Sequence, residues 1–186
     1  MAALWSVIQT MEDIIERILN AQPKNLGPTL CVEELSYFER QHKISLPTDF
    51  RKFLLKVGNG GDGPPEYGLL KLGEYNKNDV PEYLNNGYGN KLSVPFKYQE
   101  HWVWDGEEDE PEFENKVRET EYGCLALGHD GCGMFWLLVV NGPQKGKVWQ
   151  TTESGIVPCA PSLTFTEWYE NWLNGNTDWW SEYEEP

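Results

Sequence analysis

By type, the residues best suited to chemistry are His129, Asp130 and Cys132, clustered in the stretch Leu127-Gly128-His129-Asp130-Gly131-Cys132-Gly133. A thiol beside an imidazole makes a nucleophilic pair when a third group orients the base and nearby cations favour the thiolate. Here the trio sits in a glycine turn between two strands, with no orienting group in view and few cations around it. A cysteine in that setting reads more simply as a small buried apolar residue. A metal would have to recruit Cys124, His129, Cys132 and Cys159, but C-x4-H-x2-C lacks the paired C-x2-C knuckles of a zinc site. The carboxylates of residues 105–114 lack the D-x-D-x-D-G-x5-E frame for calcium and read as a solvated loop. No G-x-x-x-x-G-K-[ST] phosphate loop occurs. Gly58-Asn59-Gly60-Gly61 follows a helix pattern instead of opening one, so it reads as a C-cap and turn. Thirty acidic residues offer too many carboxylate pairs for any one to be named as a glycosidase dyad. The chemistry-bearing residues thus point to no catalytic group, no metal and no cofactor.

What surrounds them shapes a backbone. Leu4, Val7, Ile8, Met11, Ile14, Ile15 and Ile18 recur at spacings of three and four, which predicts an amphipathic helix over 2–20. Thr29 is the expected N-cap of a second helix, with Glu33 and Glu34 in its first turns and Leu35 and Phe38 inward. Leu46-Pro47-Thr48-Asp49-Phe50 opens a third, with Pro47 at its first position and Phe50, Phe53, Leu54 and Val57 on one stripe. Gly58 is expected to end it in a left-handed cap. Tyr67 to Leu72 reads as the first strand, Pro81 to Leu84 as a helical turn and Asn85 to Asn90 as a polar turn. Trp102 and Trp104 flank Val103 with strand alternation. Further strands are expected at Tyr122 to Leu127, Met134 to Val140, Lys147 to Thr151 and Ile156 to Cys159, the middle two as an antiparallel hairpin. Thr164 and Glu167 have capping-box spacing for a final helix that buries Phe165, Trp168, Tyr169 and Trp172 and stops at Gly175. Trp179 and Trp180 beyond it are candidate partner anchors. Helices, then strands, then a helix predict an α+β fold: a central, mostly antiparallel sheet flanked by N-terminal helices and a C-terminal helix, in a single domain.

The 186 residues carry 30 Asp and Glu against 15 Lys and Arg, a formal charge of −15. Such a field repels nucleic acid and anionic membranes and attracts basic partners. Acidity also serves solubility alone, which is the commoner reason for it. The sharpest run is Asp105, Glu107, Glu108, Asp109, Glu110, Glu112 and Glu114, an acidic insert over about 105–121; an acidic, aromatic tail spans 178–186. Four scattered cysteines, and an N-terminus without a basic leader or an apolar span, predict reduced thiols and a cytoplasmic protein.

The order and spacing of two motifs resemble the SUKH superfamily, in its branch of Smi/Knr fungal cell-wall-assembly regulators and bacterial immunity proteins. The first runs from Leu46-Pro47-Thr48-Asp49-Phe50 through Gly58-Asn59-Gly60-Gly61 to Tyr67-Gly68-Leu69; the second joins the Gly128 to Gly133 turn to Gly146-Lys147-Val148-Trp149. The match spans about 28–175. The resemblance implies a non-enzymatic antidote that binds a cognate polymorphic toxin, often a nuclease, or alternatively an intracellular regulatory scaffold. It implies that Pro47, Gly58, Asn59, Gly60, Gly61, Gly131, Gly133 and Trp149 determine the fold. The residues themselves add an expected partner face: Asp105, Glu107, Glu108, Asp109, Glu110 and Glu112, with Trp102 or Trp104 as aromatic anchors. The expected partner is a basic, nuclease-like protein, and the chain itself a monomer or weak dimer.

Overall fold

Met134 to Val140 is apolar throughout because both faces of the strand it forms are covered. Trp136, Leu138 and Val140 point into a large core shared with helices, while Phe135, Leu137 and Val139 point into a smaller one on the other side. The computed structural model describes residues 13–74, 91–104, 110–152 and 155–179. Among these, strands β1 (Trp102–Val103), β2 (Cys124–Gly131), β3 (Met134–Val139), β4 (Val148–Thr152) and β5 (Gly155–Pro158) form one antiparallel sheet. Its order is β1-β5-β4-β3-β2. The helices are α1 (described over 13–20), α2 (Val32–His42), α3 (Thr48–Lys56), α4 (Glu110–Glu119) and α5 (Phe165–Leu173). The α+β arrangement is the expected one, and the sheet is wholly antiparallel.

The larger core holds Ile14, Ile15 and Ile18 of α1, Leu35 of α2, Phe50, Phe53 and Leu54 of α3, and Phe165, Trp168 and Tyr169 of α5. The apolar stripes foreseen for these helices therefore face one side of the sheet; the first four positions of the α1 stripe lie outside the described residues. Phe53 meets Phe165 and Tyr169 edge-on at 4.9 and 4.8 Å, so α3 and α5 lock through aromatic rings. Thr164 caps α5 as its spacing predicts, with Glu167 Oε2 accepting from the Thr164 backbone N–H at 2.8 Å. The smaller core gathers Phe96, Cys124, Phe135, Leu137, Val139, Trp149 and Ile156 beneath the segment that carries Tyr98 and Trp102.

Several local expectations give way to long-range contacts. α2 is capped by Cys31, whose backbone N–H donates to Glu34 Oε2 at 2.7 Å, and not by Thr29. Pro47 is the N-cap of α3, one position before the helix. Gly58 is not left-handed: α3 ends at Val57 in right-handed geometry. Gly58 lacks a side chain for another reason, since a Cβ there would come within 2.8 Å of the Leu26 Cβ. The left-handed residues are Gly60 and Gly61, and a Cβ on Gly61 would lie 2.1 Å from the Asn25 carbonyl oxygen. Asn59, buried, accepts the Leu72 backbone N–H on its Oδ1 at 2.7 Å, so this turn ties three segments together.

Tyr67 to Leu72 forms no strand. It makes one isolated bridge, Gly61 to Leu69, and gives single hydrogen bonds to β2, such as Leu70 N–H to the Leu127 carbonyl at 2.8 Å. The segment expected as an acidic loop is helical from Glu110 onward, as α4. Trp179, read as a partner anchor, is only 6% exposed and packs edge-on against Trp136 at 5.1 Å. Trp180, the 81–90 turns and the remaining acidic tail lie outside the described residues.

Candidate functional site

β2 runs on past Leu127, so His129 and Asp130 lie within the strand and not in the expected turn, at its end where two register shifts interrupt the pairing with β3. As neighbours in a strand, the two side chains point to opposite faces. His129 lies opposite Phe135 in the ladder, on the smaller-core side, with its ring stacked on Tyr67 at 4.8 Å and 16°. Asp130 turns to the other face, where its Oδ2 accepts from Trp136 Nε1 at 2.7 Å and from Gln150 Nε2 at 2.9 Å. Its Oδ1 accepts the Glu66 backbone N–H at 2.8 Å. The carboxylate thus ties β2, β3, β4 and the 61–69 loop together instead of orienting an imidazole. Gly128 permits that docking, because a Cβ there would lie 2.4 Å from the Gly68 carbonyl oxygen. Neither the register shifts nor the need for Gly128 had a sequence pattern of its own.

Cys132 stands apart from both at the hairpin tip. It and Gly133 are the two central turn residues, with φ of 50° and 77°, the conformation of a type I′ hairpin turn. The residue is exposed, and not the buried apolar one its setting suggested, because it occupies the tip of the turn. Burial pushes the Cys159 thiol up to about 12 and raises Cys124 well above the ordinary thiol range, which keeps both protonated. All four cysteines are free. Cys124 belongs to the smaller core and Cys159 to the larger, so the sheet separates them. Among the described residues, no three His, Cys, Asp or Glu side chains converge as metal ligands. His129 and Asp130 are engaged in packing and hydrogen bonds.

The aromatic residues expected at a partner face, Trp102 and Trp104, lie at the other edge of the sheet. β1 is an edge strand paired only with β5, through Trp102 to Ile156 and Val103 to Gly155. Trp102 is partly buried beside Tyr98, with ring centroids 6.2 Å apart. Trp104, beyond the strand end, is 41% exposed and rests on Phe113 of α4 at 4.6 Å. That contact brings Trp104 beside the helix that carries Glu112, whose carboxylate pairs with Lys116 at 3.4 Å across one helical turn. Val103, 47% exposed, extends the apolar part of this edge. Asp105, Glu107, Glu108 and Asp109 lie outside the described residues, and Glu110 opens α4. Phe113 was not anticipated; it carries no periodic pattern of its own within the charge run.

At the far end of α4 the acids are held internally. Glu119 meets Lys97, which raises the lysine pKa, and Lys97 sits 5.2 Å above the Tyr98 ring. Glu121 pairs with Lys91 at 3.6 Å, yet burial pushes its carboxyl up to about 7.

Among the described residues no helix is long and apolar enough to cross a membrane. No curated protein and no solved structure matches the chain. A family model, described as SMI1 / KNR4 family (SUKH-1), matches residues 31–171, from the N-cap of α2 to within α5. That span contains both glycine motifs, all five strands and the buried Trp149 that packs edge-on against Phe96 at 4.9 Å. The chain belongs to the SMI1 / KNR4 family (SUKH-1).

Proposed function

We propose that this chain is a non-enzymatic binding protein of the immunity type, which neutralises a cognate, basic, nuclease-like toxin in the cytoplasm by direct contact. Family membership supports the kind of domain, and the charge of −15 supports the sign of the partner. The observation that carries the reading is Trp104: a large ring 41% exposed, braced on Phe113 and continuous with a run of carboxylates. Half-exposed aromatics on a firm base are typical of residues that dominate protein interfaces. Flanking carboxylates steer a cationic partner inward and compete for a cleft shaped to hold phosphates.

The test uses the protein encoded beside this chain as the candidate toxin. Reversing Glu107, Glu108 and Glu110 to lysine is expected to weaken binding about ten-fold or more and to flatten its salt dependence. Trp104→Ala is expected to speed dissociation with little change in association. Unchanged affinity in both variants overturns the assignment of this face. Capture of a partner that has no toxic activity favours the regulatory-scaffold reading instead.

A further inference from the structure

The loop from Gly61 to Leu69 forms, with Trp172 of α5, a shallow open pocket of about 490 Å³ at the β2 edge of the sheet and so at the opposite edge from Trp104. Its lining includes Tyr67, Trp172 and Pro64. Its lining carries two carboxylates, Asp62 and Glu66, and no cationic side chain. Among the described residues neither carboxylate forms an ion pair.

The frame is held from several sides. Gly61 and Leu69 exchange backbone hydrogen bonds of 2.9 and 2.6 Å across the loop's mouth. Asn25 Nδ2 donates to Asp62 Oδ2 at 3.0 Å, and the Tyr169 hydroxyl donates to the Asp62 carbonyl at 3.0 Å. Asp130 holds the Glu66 backbone, and His129 supports the Tyr67 ring from beneath, leaving that ring 68% exposed. An open pocket on a braced frame, lined by aromatic and acidic residues and by no cation, suits one kind of side chain. A guanidinium is planar, stacks on aromatic faces and offers five donors to two carboxylates.

We propose that this pocket receives an arginine side chain of a basic protein partner. It deepens the reading of the chain as a binder of such a partner, adding a second, separate contact beyond the Trp104 edge. The aromatic residues orient the guanidinium plane, and Glu66 and Asp62 neutralise it.

The test needs no toxin. The probe is the blocked peptide acetyl-Gly-Arg-Gly-amide, followed through the Trp172 indole resonance, which the variant Trp172→Phe assigns. Saturable movement of that resonance is expected with the arginine peptide and not with its citrulline counterpart, which has the same shape without charge. Glu66→Gln is expected to weaken the response about five-fold, and Tyr67→Ala at least as much. Both positions are exposed, and an otherwise unchanged indole spectrum shows that each variant is folded. No movement with the arginine peptide, equal movement with citrulline or with a neutral monosaccharide, or full binding by Glu66→Gln overturns the proposal. The lysine substitutions at 107, 108 and 110 leave this response unchanged, so failure here is distinguishable from failure of the Trp104 face.

Discussion

Asp49, in the first turn of α3, accepts hydrogen bonds from Thr166, at the second position of α5: the backbone N–H at 3.1 Å and the hydroxyl at 3.4 Å. One carboxylate, 5% exposed, thus reaches buried donors, left without an intrahelical partner, at the start of a helix 117 residues further along the chain. Burial pushes its carboxyl above the usual range, against the pull of the Thr166 and Phe50 backbone N–H groups. Asp49→Ala leaves the Thr166 N–H buried and unsatisfied, and is expected to cost about 1–3 kcal/mol. Urea unfolding should show the midpoint falling with the slope unchanged.

Asp130 has three donors, from Glu66, Trp136 and Gln150. Asp130→Ala is expected to lose about 3 kcal/mol, because it strands a buried indole N–H and frees the 61–69 loop together. Amide exchange at Glu66 should quicken far more than exchange in β4. Equal acceleration at both sites would contradict the tie described above.

Glu121 sets a pH dependence whose sign follows from its environment. Its carboxyl titrates at about 7 when folded, against an ordinary value of 4.5. Between these values the folded chain holds a proton that the unfolded chain has released, so the stabilising contribution is present below the lower value. It is lost as pH rises toward the upper one. Stability should therefore decline by up to about 3 kcal/mol from this group between roughly pH 4.5 and 7. Glu121→Gln should flatten that part of the profile in a series of urea titrations.

Cys132 sits at a left-handed turn position for which asparagine is better suited. Cys132→Asn is expected to change stability by no more than about 0.5 kcal/mol, and to leave binding intact. Cys132→Val places a β-branched residue at positive φ and should cost about 1–2 kcal/mol. A loss of function in the asparagine variant, with stability retained, would restore the thiol as a reactive group.

The helices α3 and α5 and the strands β2 to β4 were legible in the chain because the information for them is local. Phe50, Phe53 and Leu54 mark one helical stripe, Thr164 and Glu167 a cap, and Met134 to Val140 a strand covered on both faces. The two glycine motifs led to the family for the same reason: their order along the chain is itself the signature.

What the tertiary structure alone decided are the contacts between segments far apart in sequence. Asp130 meets Trp136, Gln150 and the 61–69 loop, while His129, its strand neighbour on the opposite face, meets Tyr67; which segments cover those two faces is set by how the sheet and the loop close on each other. Trp179 joins the core because Trp136 and Trp168 leave a place for it, and Trp104 finds Phe113 across a charge run. Periodicity reports which side of its own element a residue occupies. It carries no record of which other element comes to cover that side, since that choice depends on how the whole chain closes its cores.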